Sequence, residues 1–144
     1  MHYLTVQDVL WIHLQIARKP GKFSYANLEE ATSYQYAYGK SHDVLAQAAR
    51  FFSGFAAKSP FESANRAVAF ASGVVFLEIN GRHFNPKDKD LVEWLDRAST
   101  PATCKETIEG STVVAHDAHH IESRDVAKVV LEKYEATIKK LLEY

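Results

Sequence analysis

The chain has a single cysteine, Cys104, among its 144 residues. No internal disulfide can form, which fits a reducing compartment and gives the thiol no catalytic meaning by itself. No stretch approaches the ~20 apolar residues of a membrane span, and Met1-His2-Tyr3-Leu4-Thr5 has neither the basic nor the apolar segment of a signal peptide. Charge of one sign is also missing. With 17 basic and 18 acidic residues the formal net charge is -1, which argues against a nucleic-acid or membrane-surface partner. There is no glycine-rich nucleotide loop, cysteine pair, Ser/His/Asp signature, internal repeat or low-complexity tract. What is present is ordinary globular material, 47% hydrophobic and 24% charged. The length suits one domain over residues 1–144, able to bury about 68–70% of its unfolded surface. A cytoplasmic location is expected.

Apolar spacing predicts mostly helix. Thr5 can cap a first helix, with Asp8 in its first turn and Val9, Ile12, His13, Ile16 and Ala17 on one face. That helix should stop near Pro20-Gly21. A helical turn follows around Ala26 to Ala31. Tyr34, Tyr36 and Tyr38 then alternate with Gln35 and Ala37 up to Gly39, a period of two that predicts a short strand or hairpin. From Ser41 the helical pattern returns through Val44, Leu45, Ala48, Phe51, Phe52 and Phe55, and Pro60 places Ser59 at a break. The next helix, from about Asn65 to Ile79, is apolar almost all round and must be central. Asn80-Gly81 should end it, and Asn85-Pro86 with Asp88 should start the helix that carries Leu91, Trp94 and Leu95. Beyond Pro101 the pattern weakens, since Thr103 to Gly110 is short and Thr112 to Ala115 reads as strand or turn. A final helix runs from about Arg124 to the end, with Val126, Val130, Tyr134, Ile138 and Leu141 as its apolar stripe.

The segment from Lys58 to Ala67, KSPFESANRA, resembles the active-site signature of the Fic/Doc family. That signature reads His-Pro-Phe, any residue, an acidic residue, Gly-Asn, Gly or Lys, then Arg. Pro60, Phe61 and Asn65 match it, and Arg66 stands where the Doc branch carries lysine. The resemblance extends over about residues 4 to 84, through Leu4 to Gln15, Leu28 to Ala31, His42 to Ala49, Gly54 to Lys58 and Phe76 to Gly81. Residues 85–144 would be additional helices packing on the core. It implies a mainly α domain around a central buried helix with a small β-hairpin flap. In the family this architecture transfers AMP or phosphate onto protein hydroxyls. The flap implied is Tyr34, Tyr36 and Tyr38, docking a target as an added strand; the alternative is that these tyrosines cover the edge of the core.

Four departures bear on the chemistry. Ser59 holds the base position, where imidazole would take the hydroxyl proton near neutral pH and a serine cannot. It either fills a vacated site or is a nucleophile, which would need a base, and only Glu62 is near in the loop. Ser63 lacks the charge that helps hold Mg²⁺, Ala64 adds a methyl where backbone N–H groups approach phosphate, and Ala67 removes the arginine fork. The expectation is therefore a degenerate member without transfer activity and without a cofactor, binding a protein partner or an anion. Ser59, Ser63, Asn65 and Arg66 are the anion or nucleotide candidates at a helix start; otherwise Asn65 caps that helix and Arg66 is solvated. The resemblance also implies an antitoxin-like protein partner. The alternative is a nucleotide-dependent AMP or phosphoryl transferase with a non-standard site, using ATP and Mg²⁺. Elsewhere, His116 and His120 four apart, with His119 beside them, are candidate metal ligands, against a polar turn. His13 reads as a satisfied core histidine.

Overall fold

The computed structural model describes residues 1–19, 21–115 and 122–142. Its helices are α1 (Val6–Ala17), α2 (Tyr25–Ser33), α3 (Val44–Lys58), α4 (Asn65–Ile79), α5 (Leu91–Ala98), α6 (Cys104–Gly110), α7 (Ser123–Lys133) and α8 (Glu135–Leu141), with a 3₁₀ turn at Tyr34–Tyr36. Strands β1 (Arg82–Phe84) and β2 (Thr112–Val114) pair antiparallel, with His83 opposite Val113. The mainly helical class is as the sequence predicts. Among the described residues no helix is long and apolar enough to cross a membrane.

The centre is α4. Of its fifteen residues, Ala67 to Leu77 are all buried, and Ile79 with them. A helix that is apolar on every side has to be wrapped on every side, and α1, α3, α7, α8 and β1 all pack on it. One contiguous core draws on every helix. On one flank it is built from rings. Trp94 meets Phe52, Phe70 and Phe84 at 5.5, 6.1 and 4.8 Å between centroids, and Tyr134 meets Phe70 and Phe84 at 5.8 and 5.4 Å. Most of these contacts are edge-on, the arrangement that aromatic quadrupoles favour. The indole N–H of Trp94 donates to Ser111 Oγ at 2.7 Å, so its one polar atom is satisfied.

Several helix ends follow the sequence signals. Thr5 and Asp8 form a capping box on α1, and Asp43 caps α3 by accepting from the Ala46 N–H. Three expectations are corrected. Asp90, not the Asn85-Pro86 pair, caps α5 by accepting from the N–H groups of Val92 and Glu93; Asp88 instead pairs with Arg97. The last helix is two, because the chain leaves helical geometry at Tyr134 (φ -108°, ψ 26°), whose ring turns into the Phe70–Phe84 cluster.

The third correction concerns the tyrosines. Residues 34–36 form a 3₁₀ turn, and the small β element lies instead between residues 82–84 and 112–114. The cause is Gln35, which is fully buried; its amide accepts from the Leu4 N–H at 2.8 Å and donates to the Leu4 carbonyl at 2.7 Å. In the 3₁₀ turn that brings Gln35 inward, residues advance about 120° each, so Tyr34 and Tyr36 do not share a face. Tyr34 lies flat on α3 at Gly54, Tyr36 packs on Tyr3 at 4.6 Å, and Tyr38 is 86% exposed. Ala37 and Gly39, both at positive φ, then turn the chain toward α3.

Two glycines let rings touch helix backbone directly. A Cβ on Gly73 would stand 2.3 Å from the Phe52 ring, and one on Gly54 2.2 Å from Tyr34. At Gly110 the same Cβ would meet nothing within 4 Å. Gly73→Ala should therefore destabilise by about 1–3 kcal/mol, as overpacked cores do, while Gly110→Ala should not destabilise. Urea unfolding of the two variants compares them directly, and equal midpoints would contradict the packing described.

Candidate functional site

The loop between α3 and α4 is fixed from four directions. Ser59 ends α3 in the left-handed region (φ 42°, ψ 61°), as a break before Pro60 requires, and its hydroxyl donates to the Ala56 carbonyl at 3.1 Å. Residues 22–24 run antiparallel to residues 60–62: Ser24 N–H donates to the Pro60 carbonyl at 2.9 Å and Glu62 N–H to the Lys22 carbonyl at 3.1 Å. Phe61 is buried under this pairing. Its ring stacks on the His13 imidazole of α1 at 3.9 Å and 9°.

Asn65 supplies the fourth attachment. It does not cap α4; that position belongs to Ala64, which makes no side-chain cap bond. Its carboxamide reaches back, accepting from the Phe61 N–H at 2.9 Å and donating to the Phe61 carbonyl at 2.7 Å. A backbone residue that would otherwise pair with nothing on that side is thereby satisfied on both groups. Ala64 sits at φ 68°, ψ 16°, a left-handed conformation that costs an alanine about 1–2 kcal/mol, and it is the position where the resembling family has glycine.

The structure does not gather the candidate anion residues into one cradle. Ser59 and Ser63 are exposed. Arg66 pairs with Asp96 of α5, so it is neither simply solvated nor reserved for an anion. Ala67 is fully buried, so the position of the family's closing arginine faces packed protein. The N–H groups of Phe61 and Glu62 are spent within the chain. These residues do not fit a Mg²⁺–nucleotide group: no carboxylate stands at 63 and no cation at 67. Among the described residues Ser59 has no activating partner, since its hydrogen bond goes to a carbonyl. Among the described residues no group of three or more His, Cys, Asp or Glu could hold a metal ion. The candidate ligands His116, His119 and His120 lie outside the described residues.

His13 is the titratable group built into the loop. It is 6% exposed, and its imidazole hydrogen-bonds to the backbone of Ser63. Burial holds its pKa below the usual histidine value, outweighing the opposite pull of that hydrogen bond. Sequence reading placed His13 in the core but missed its contact with the loop, which nothing in residue spacing reveals.

Tyr34 and Tyr38 line a cleft of about 740 Å³ between the 3₁₀ turn, α3 and α6, with Lys40, Arg50, Cys104 and Lys105 also on its walls. No residue of the 59–66 loop borders it. Sequence reading missed this site because its residues come from three separate segments.

Comparison with family models, with curated proteins and with solved structures finds no match at the level of significance required.

Two predictions concern the loop. Asn65→Ala leaves both backbone groups of Phe61 without their partner and should cost about 2–3 kcal/mol, and Asn65→Asp, which keeps the acceptor and loses the donor, should not restore it. Chemical denaturation measures both; wild-type stability in either variant would contradict the clamp. For His13 the sign follows from the lowered pKa. The unfolded chain takes up the proton first as pH falls, so the stability present above about pH 6.5 declines below it until the folded pKa is passed. His13→Phe, which keeps a ring on Phe61, should flatten the fall in melting temperature between about pH 7 and 5; an unchanged slope would assign that fall to other groups.

Proposed function

We propose that this chain is a Fic/Doc-like scaffold that no longer transfers AMP or phosphate and works by binding. The observation that carries the reading is the state of the loop. Its four chemistry-bearing positions hold Ser59, Ser63, Ala64 and Ala67, and two of its backbone donors, the N–H groups of Phe61 and Glu62, are engaged by Asn65 and by the Lys22 carbonyl. A transferase loop needs free backbone N–H groups and cations where phosphate charge develops. Here no cation stands at position 67, and the Phe61 and Glu62 donors hold the loop to its own chain. The loop is better suited to rigid support of a surface than to turnover. A protein partner of the antitoxin kind is what the resemblance implies; binding of a small anion is the other form of the same reading.

The alternative, a transferase with a non-standard site, would need a base for Ser59, and the Ala56 carbonyl cannot act as one. The test is direct. Purified protein is incubated with Mg²⁺ and ATP labelled at the α or the γ phosphate, with cell lysate as the source of targets. No protein-bound label above the heat-treated control is expected. Label that appears with wild type and disappears with Ser59→Ala would overturn the proposal.

A further inference from the structure

We infer that the cleft between the 3₁₀ turn, α3 and α6 is a binding site for a small aromatic anion, an aryl phosphate or aryl carboxylate. Its volume, about 740 Å³, lies in the range of small-molecule sites, which are mostly apolar and carry a few placed polar groups. The cations on its walls are unequal. Lys105 is paired with Asp43 at 3.0 Å, and the one carboxylate among the lining side chains, Glu30, is held by Lys58 at 2.8 Å and by the Tyr34 hydroxyl at 3.1 Å. Among the described residues neither Lys40 nor Arg50 is paired with a carboxylate. The cleft therefore carries positive charge left over in a chain whose net charge is -1.

Arg50 is also pre-oriented. Its guanidinium carbon lies 4.6 Å from the centre of the Tyr34 ring, and that ring is itself seated on α3 because Gly54 has no side chain. Stacking occupies a face of the guanidinium and leaves its N–H edge for a two-point contact with carboxylate or phosphate. Tyr38, 86% exposed at the rim, offers a second aromatic surface against which a flat ligand can lie. Fixed fork, free lysine and aromatic rim together select a planar body with a negative group at one end.

Cys104, the only cysteine, lies in the wall and reports occupancy. The probes are naphthyl phosphate and naphthoate, with naphthol as the neutral control and inorganic phosphate as the anion without a ring. Calorimetry should show binding of at least one aryl anion, and the same ligand should slow alkylation of Cys104 by iodoacetamide, followed by mass spectrometry. Arg50→Ala should weaken binding about tenfold or more and Arg50→Lys should recover only part, because a point charge lacks the fork. Lys40→Ala should have a smaller effect. Both side chains are exposed, so folding of the variants is checked by circular dichroism and expected to be unchanged. Any of three results overturns the inference: no aryl-anion binding at about 10 mM, binding that leaves Cys104 alkylation unaltered, or affinities indifferent to Arg50→Ala and matched by naphthol or inorganic phosphate. It does not rest on the loss of transfer activity, since the labelled-ATP assay concerns a loop that does not border this cleft.

Discussion

A helix that is apolar on all sides cannot meet water on any, and the architecture is the consequence of hiding α4. Five other elements pack on it. Two surrounding contacts are close because glycine permits it: Phe52 touches the α4 backbone at Gly73, and Tyr34 touches α3 at Gly54. The aromatic cluster of Phe52, Phe70, Phe84, Trp94 and Tyr134 closes one flank, and it is Tyr134 turning toward that cluster that divides the carboxyl-terminal helix in two. Burial dominates the layout, and the surface ion pairs, which are half exposed, contribute little beside it.

Such a helix needs a polar entrance, since its first N–H groups have no partner within the helix. Ala64 supplies no side-chain cap there; its carbonyl accepts from the Val68 N–H as the helix begins. The strained Ala64 turn is retained because the loop on either side is over-determined, by the pairing with residues 22–24, the Phe61–His13 stack and the Asn65 carboxamide. A loop held this firmly suits a scaffold. In the cleft beside α3 and α6, by contrast, Lys40 and Arg50 have no carboxylate partner among the described residues and share the walls with Tyr34 and Tyr38.

Much of this was legible from residue order. The extent of α4, the break at Ser59 and the capping by Thr5 follow from local rules, apolar runs and capping chemistry, which depend on neighbours in sequence. The alternation of Tyr34, Tyr36 and Tyr38 misled because it weighed the tyrosines and not the residue between them; Gln35 seeks Leu4, thirty-one positions away, and a distant hydrogen bond overrides a local period. The same limit hid Arg66 pairing with Asp96 and the assembly of Lys40, Arg50 and Lys105 around one cleft. At Asn65 the type of residue was informative and the direction of its side chain was not, since an asparagine at a helix start can face either way.

Three carboxamides perform one task in this chain. Gln35 on Leu4, Asn65 on Phe61 and Asn80 on His2 each accept from a backbone N–H and donate to the carbonyl of the same residue, as a neighbouring strand would. Asn80 also donates to the Phe76 carbonyl and is followed by Gly81, a sequence in which the side-chain amide is open to attack by the next backbone nitrogen. Hydrolysis of that amide would leave a carboxylate that still accepts from the His2 N–H but faces two carbonyl oxygens it can only repel, weakening the tie between His2 and the end of the central helix. Leu4 would keep its own clamp on Gln35, so such a change would loosen the chain no further than its first few residues.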